Sequence, residues 1–148
     1  LTTLLFVQIL MGALVAGVDG GLGFTDWPMM AGEFFPSAAF ELTPLWSNLF
    51  ETMVLPQFMH RMAAYLVLVV AVIFAIKGRR SGHKAVAFWS TMLLVGVAAQ
   101  AVLGIATLIH AAPLTLSSKH QFGALLLLML ALRAKFEMAY PSEQKISA

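Results

Sequence analysis

Residues 57–76 read QFMHRMAAYLVLVVAVIFAI, and this stretch decides what kind of molecule the chain becomes. From Met62 onward it is almost free of polar groups. Pro56 precedes it, a residue suited to a first helical turn, and its length matches the roughly 20 residues that carry a helix across a bilayer. His60 stands near its start. An ionisable side chain in a membrane span is costly and is by default a candidate functional group.

Three further apolar runs flank this one: residues 1–18, in which Gln8 and two threonines are the only strongly polar groups, residues 85–110, which stop before Pro113, and residues 117–133, with Ser117 as the expected N-cap. The expected fold class is all-α, an integral membrane four-helix bundle forming one domain over residues 1–136. A long loop at 19–56 and a polar, frayed tail at 137–148 complete it. The chain starts within an apolar run at Leu1, which reads as a cut just before or inside a helix of something longer.

Composition agrees. The chain is 60% hydrophobic and 11% charged, with a mean hydropathy of +0.87, whereas soluble domains carry about 25% charged residues. In water this much apolar surface would aggregate; in lipid it is solvated. The absence of cysteine excludes disulfides, thiolate-ligated heme, iron–sulfur clusters and thioether-attached heme. Basic residues lie beside apolar runs rather than on one patch, which argues against nucleic acid as a partner; membrane lipid is the expected one.

Charge also orients the bundle. Lys77, Arg79, Arg80 and Lys84 crowd the short loop after residue 76, and Arg133, Lys135 and Lys145 follow the last span. Loop 19–56 holds Asp19, Asp26, Glu33, Glu41 and Glu51 and no Lys or Arg. By the positive-inside rule the acidic loop lies outside and the basic loop inside. The outer loop carries Phe24, Trp27, Phe34, Phe35, Trp46 and Phe50, an aromatic interfacial belt, a lid of short amphipathic helices, or both.

A repeat runs through the helices. Gln8-x-x-x-Gly12 in the first span matches Gln100-x-x-x-Gly104 in the third, a spacing that helix packing in lipid explains. His60 and His120 each lie about one turn into the second and fourth spans, which both run inward. The two halves read as parallel repeats about an axis along the membrane normal. On that axis His60 and His120 would face each other and could ligate one heme iron, with the cations Arg61 and Lys119 beside them for propionates or lipid phosphates. The alternative is that each histidine only hydrogen-bonds a neighbouring helix, and at this point both readings stand. His83 is expected in solvent and His110 at the interface, while Met53, Met59 and Met62 near His60 are expected to pack.

The stretches GALVAGVDGG (12–21), WPMMAG (27–32), NLFE (48–51), QFMHRM (57–62), GIATL (104–108) and HQ (120–121), in that order, resemble the heme A synthase family, and specifically its C-terminal four-helix half. Gly20, Thr25-Asp26 and Thr52 depart from the family pattern, all outside the histidines. The resemblance implies an eight-helix architecture of two pseudo-symmetric halves and an oxidoreductase that converts the C8 methyl of heme O to the formyl of heme A. In place of the glutamate of the other half's Glu-x-x-His-Arg motif stands Gln57, which implies the half that binds a heme b cofactor. His60 and His120 are then the axial ligands, and Gln57, Arg61, Lys119 and Gln121 the neighbouring cofactor residues. Heme O would be met through an N-terminal half outside this chain, without which the fragment would not turn over. Heme O synthase and an electron donor are the implied partners, self-association is left open, and a bacterial inner membrane is the simpler location, with the mitochondrial inner membrane as the other. A non-enzymatic four-helix b-type cytochrome and a heme-free segment are the competing readings.

Overall fold

The structure, a computed structural model, describes residues 1–140. Long helices carry it: α1 (Thr2–Gly17), then the single turns α2 (Gly20–Gly23) and α3 (Asn48–Glu51), then α4 (Val54–Arg79), α5 (Lys84–Ile109) and α6 (Leu114–Ala139). Two 3-10 turns, Ser37–Phe40 and Leu45–Ser47, lie between α2 and α3. No strand forms among the described residues; Met30 and Glu33 meet as an isolated bridge. The chain is an all-α helical bundle of membrane type.

The long helices pack as a ring, α1 on α4, α4 on α5, α5 on α6, and α6 back on α1. That order sets α4 diagonally across from α6 and α1 across from α5. Small side chains fill the seams: Ala71, Ala75, Ala131 and Ala134 are buried with Leu5, Val67, Leu93, Val97 and Leu127. Between α4 and α5 a Cβ on Gly78 would collide with Ser90 Oγ, so the helices touch there backbone to side chain, as packing in lipid favours. Large apolar groups point outward instead, among them Leu66, Val69 and Ile73 on α4, Val102 on α5 and Met129 on α6. Hydrocarbon, not water, suits that surface.

α4 and α5, each of 26 residues with mean hydropathy 2.1 and 2.3, are long and apolar enough to cross a membrane. α1 is apolar but has 16 residues, about 24 Å of helix. In α6 the apolar run 122–132 is bracketed by Lys119, His120 and Gln121 on one side and Arg133 and Lys135 on the other.

Helix ends differ from expectation in places. α4 begins at Val54, ahead of residue 57, and reaches Arg79. α6 begins at Leu114, directly after Pro113, so Ser117 is not its cap; the Ser117 hydroxyl donates to Ala112 O at 3.1 Å. α6 also takes in residues 137–139 of the expected tail, because Arg133 pairs with a buried Glu137 one turn on. The tail beyond residue 140 lies outside the described residues.

Loop 19–56 is built of single turns tied by side chains. Asn48, wholly buried, accepts from Leu42 N at 3.1 Å and donates to Leu42 O and Leu45 O at 3.0 Å. Asp26 accepts from Ala31 N and Gly32 N, both at 3.1 Å. Trp27, Phe34, Phe35, Trp46 and Phe50 are exposed on this loop, as interfacial aromatics are.

Candidate functional site

The two histidines occupy the same register on α4 and α6. His60 lies six residues after Val54, and His120 six after Leu114. Their neighbours match from the other direction: Gln8 is nine residues before Gly17, the end of α1, and Gln100 nine before Ile109, the end of α5. Gln8 and Gly12 face α4, and Gln100 and Gly104 face α6. At each pair the glutamine donates across the seam to the histidine carbonyl: Gln8 Nε2 to His60 O at 3.0 Å, and Gln100 Nε2 to His120 O at 2.9 Å.

Each glycine makes room for an imidazole. A Cβ on Gly12 would stand 3.2 Å from His60 Cε1, and one on Gly104 2.9 Å from His120 Cε1. Each ring therefore brings its Cε1 side against a neighbouring backbone. The repeat seen in the sequence is thus a repeat of contacts. Gln8 and Gln100, which the spacing assigned to packing alone, belong to the histidine environment; the shared Gln-x-x-x-Gly pattern was the signal.

The pairs differ in one respect. Gln8 Nε2 also approaches His60 Nδ1 at 3.1 Å and His60 Nε2 at 3.4 Å, and Gln8 Oε1 is buried with no partner. Gln100 touches only the carbonyl of its histidine, and His120 Nδ1 is buried without a partner.

Gln57 and Arg61 hold the lid. Both are buried on α4. Arg61 Nη1 donates to Asp26 O at 2.9 Å and Met29 O at 2.8 Å, its Nη2 donates to Phe24 O at 3.1 Å, and Gln57 Nε2 donates to Phe24 O at 2.9 Å. A guanidinium out of water needs such acceptors, and hydrogen bonds to a charged group each contribute about 1.5–3 kcal/mol. Arg61 Nε and Gln57 Oε1 remain buried and unpartnered. Asp26 then turns its carboxylate to the N–H groups of Gly32, first, and Ala31; with Arg61 also near, its pKa falls below the ordinary value.

Lys119 and Gln121 are exposed; one residue to either side of His120, they point about 100° away from it around the helix. The structure therefore buries Gln57 and Arg61, half-buries His60 and His120, and leaves Lys119 and Gln121 on the rim. His110 is exposed, with Nδ1 at 2.7 Å from Ala106 O of its own helix, and His83 is exposed ahead of α5.

Among the described residues no three His, Cys, Asp or Glu side chains gather for a metal ion. A heme supplies four ring nitrogens itself and asks the protein for axial ligands alone. Two imidazoles in one register on their helices, each seated on a glycine, one with an unpartnered Nδ1, fit that demand. An apolar cavity of about 140 Å³ lies among α1, α3 and α4, lined by Met11, Leu14, Leu49, Pro56 and Met59.

A model of the cytochrome oxidase assembly protein family matches residues 1–132. The chain is 48% identical over 136 residues to the heme A synthase of Ruegeria sp. (strain TM1040), covering 92% of this chain and 36% of that protein.

This chain belongs to the heme A synthase family.

The heme A synthases of Dinoroseobacter shibae and Paracoccus denitrificans are similar in kind: 49% identical over 91% of this chain and 35% of that protein, and 46% over 97% and 38%. The chain thus spans little more than a third of the length of these heme A synthases, so it corresponds to part of the family's enzyme. No solved structure matches it. The heme A synthase family is a family of membrane enzymes, and the relatives named here are bacterial.

Proposed function

We propose that this chain is the cofactor half of a heme A synthase, with His60 and His120 as the two axial ligands of a b-type heme. The observation that carries this reading is the matched register of two imidazoles on diagonal helices, each seated on a glycine and tied by a glutamine through its own carbonyl. A heme held by two histidines has no open coordination position, so it supplies electron transfer rather than oxygen activation. The residues of this chain would do the rest. Gly12 and Gly104 set the approach of the imidazoles, Gln8 and Gln100 hold the histidine backbones, and Arg61 and Gln57 keep the lid closed against water.

In this reading the long helices α1, α4, α5 and α6 all cross the membrane, loop 19–56 faces outward, and the Lys77–Lys84 turn faces the cytoplasm of a bacterial cell. Oxidation of the heme O methyl to the formyl of heme A takes place with the remainder of the longer protein. Heme O synthase and an electron donor are its expected partners.

The test is an absorption spectrum of the detergent-purified chain, oxidised and then dithionite-reduced. Sharp reduced α and β bands of a low-spin b-type heme are expected. His60→Ala and His120→Ala should each lose most of the heme or turn it high-spin. Low-spin spectra unchanged in both variants would remove the ligand assignment.

A further inference from the structure

The two halves of the histidine site match in backbone but not in what faces each ring, and that difference has a chemical meaning. A histidine that ligates a metal through one ring nitrogen carries its proton on the other, and a hydrogen-bond acceptor there fixes the ring and raises its basicity. The interior offers such an acceptor on one side. Gln8 Nε2 stands 3.1 Å from His60 Nδ1 and 3.4 Å from His60 Nε2, and Gln8 Oε1, on the same planar amide, is buried without a partner. The torsion that turns this amide is broad and shallow. Rotation about it would present Oε1 to an Nδ1–H in place of Nε2, which now donates to His60 O at 3.0 Å; which amide atom faces the ring follows the hydrogen-bond network.

On the other side nothing comparable exists. Gln100 Nε2 is committed to His120 O at 2.9 Å. Its amide is also confined, since a Cβ on Gly123 of α6 would stand 2.8 Å from Gln100 Nε2. His120 Nδ1 stays buried and unpartnered.

We infer that Gln8 and Gln100 are positioning residues of unequal kind: Gln8 orients the His60 ring and makes it the stronger donor, whereas Gln100 fixes only the α6 backbone and leaves His120 the weaker ligand. This rests on the reading of His60 and His120 as axial ligands. A stronger imidazole donor favours the oxidised iron, so loss of the Gln8 acceptor raises the reduction potential. Loss of Gln100 removes one interhelical hydrogen bond and no acceptor from a ring, so it moves the potential less.

The experiment uses the whole chain in detergent, reconstituted with hemin, as wild type, Gln8→Leu, Gln8→Glu and Gln100→Leu. Circular dichroism melting of the heme-free forms first establishes which variants fold; Gln8→Met replaces Gln8→Leu if the latter does not. Redox titration and low-temperature electron paramagnetic resonance of the ferric state follow. Gln8→Leu should raise the midpoint potential and shift the low-spin g values, and Gln8→Glu, which keeps an acceptor, should return both toward wild type. Gln100→Leu should lower the heme-free melting temperature and move both heme readouts less than Gln8→Leu does. Equal shifts in Gln8→Leu and Gln100→Leu, or none in either, overturn the assignment of Gln8 while leaving the axial pair intact. A folded wild type that takes up no hemin overturns the axial pair, and this inference with it.

Discussion

A methyl group at position 104 would stand 2.9 Å from His120 Cε1, and one at position 12 would stand 3.2 Å from His60 Cε1. The first is closer than carbon atoms tolerate, so the ring or the helix must shift; the second asks for a few tenths of an ångström. Overpacking of a filled interior costs about 1–3 kcal/mol. Gly104→Ala should therefore lose more stability and more hemin affinity than Gly12→Ala, read by melting temperature and by hemin titration; the reverse order would show that the α5–α6 seam yields more easily than the α1–α4 seam. Asp26 makes a prediction about acid. The Gly32 and Ala31 amides hold its folded pKa below the ordinary 3.8. The stability it contributes is thus fully present above that value and is lost as pH falls through the lower, folded pKa. Hydrogen exchange at Ala31 and Gly32, corrected for intrinsic rates, should stay slow at neutral pH and quicken only below the ordinary carboxylate range. In Asp26→Asn the same amides should show no acid step.

At the scale of the element, the turn between α5 and α6 shows a strain that can be relieved. Ala111 closes α5 with φ 56°, its N–H bonded to Leu108 O at 3.0 Å while Ala112 N–H reaches back to Thr107 O at 2.8 Å. This is the Schellman pattern, in which glycine is the usual residue because the left-handed conformation costs an L-residue about 1–2 kcal/mol. Ala111→Gly should raise stability by about 1 kcal/mol and with it the melting temperature; a temperature at or below wild type would show that alanine is not strained there. Helices of this kind were legible in the sequence because long apolar runs and charged flanks mark them. Their ends were less so. α4 gains a turn ahead of Gln57, and α6 gains one through the Arg133–Glu137 pair, neither of which an apolar count registers. The fastening of the lid was hidden for another reason. Arg61 and Gln57 bond to the backbone oxygens of Phe24, Asp26 and Met29, and a carbonyl has no letter in the sequence.

For the whole molecule, the asymmetry of charge calls for one orientation, and the lack of cysteine makes it measurable. Thr43→Cys in the lid should react with a membrane-impermeant maleimide on intact cells, and His83→Cys should react only after lysis. The opposite pattern would invert the bundle. The histidine pair was readable in advance because the repeat placed it, yet the roles of Gln8 and Gln100 were not, since a Gln-x-x-x-Gly spacing serves packing and site alike until the facing helix is known. The ring of helices closes where α6 meets α1, the last helix against the first. That closure carries a consequence for biogenesis. His120 leaves the ribosome 60 residues after His60, roughly 3–12 s later at ordinary synthesis rates. Throughout that interval the nascent chain offers a single imidazole in an unclosed bundle. On the proposed ligand assignment, capture of an iron centre by both histidines is therefore an event that follows translation of α6 and cannot guide the insertion of the helices before it.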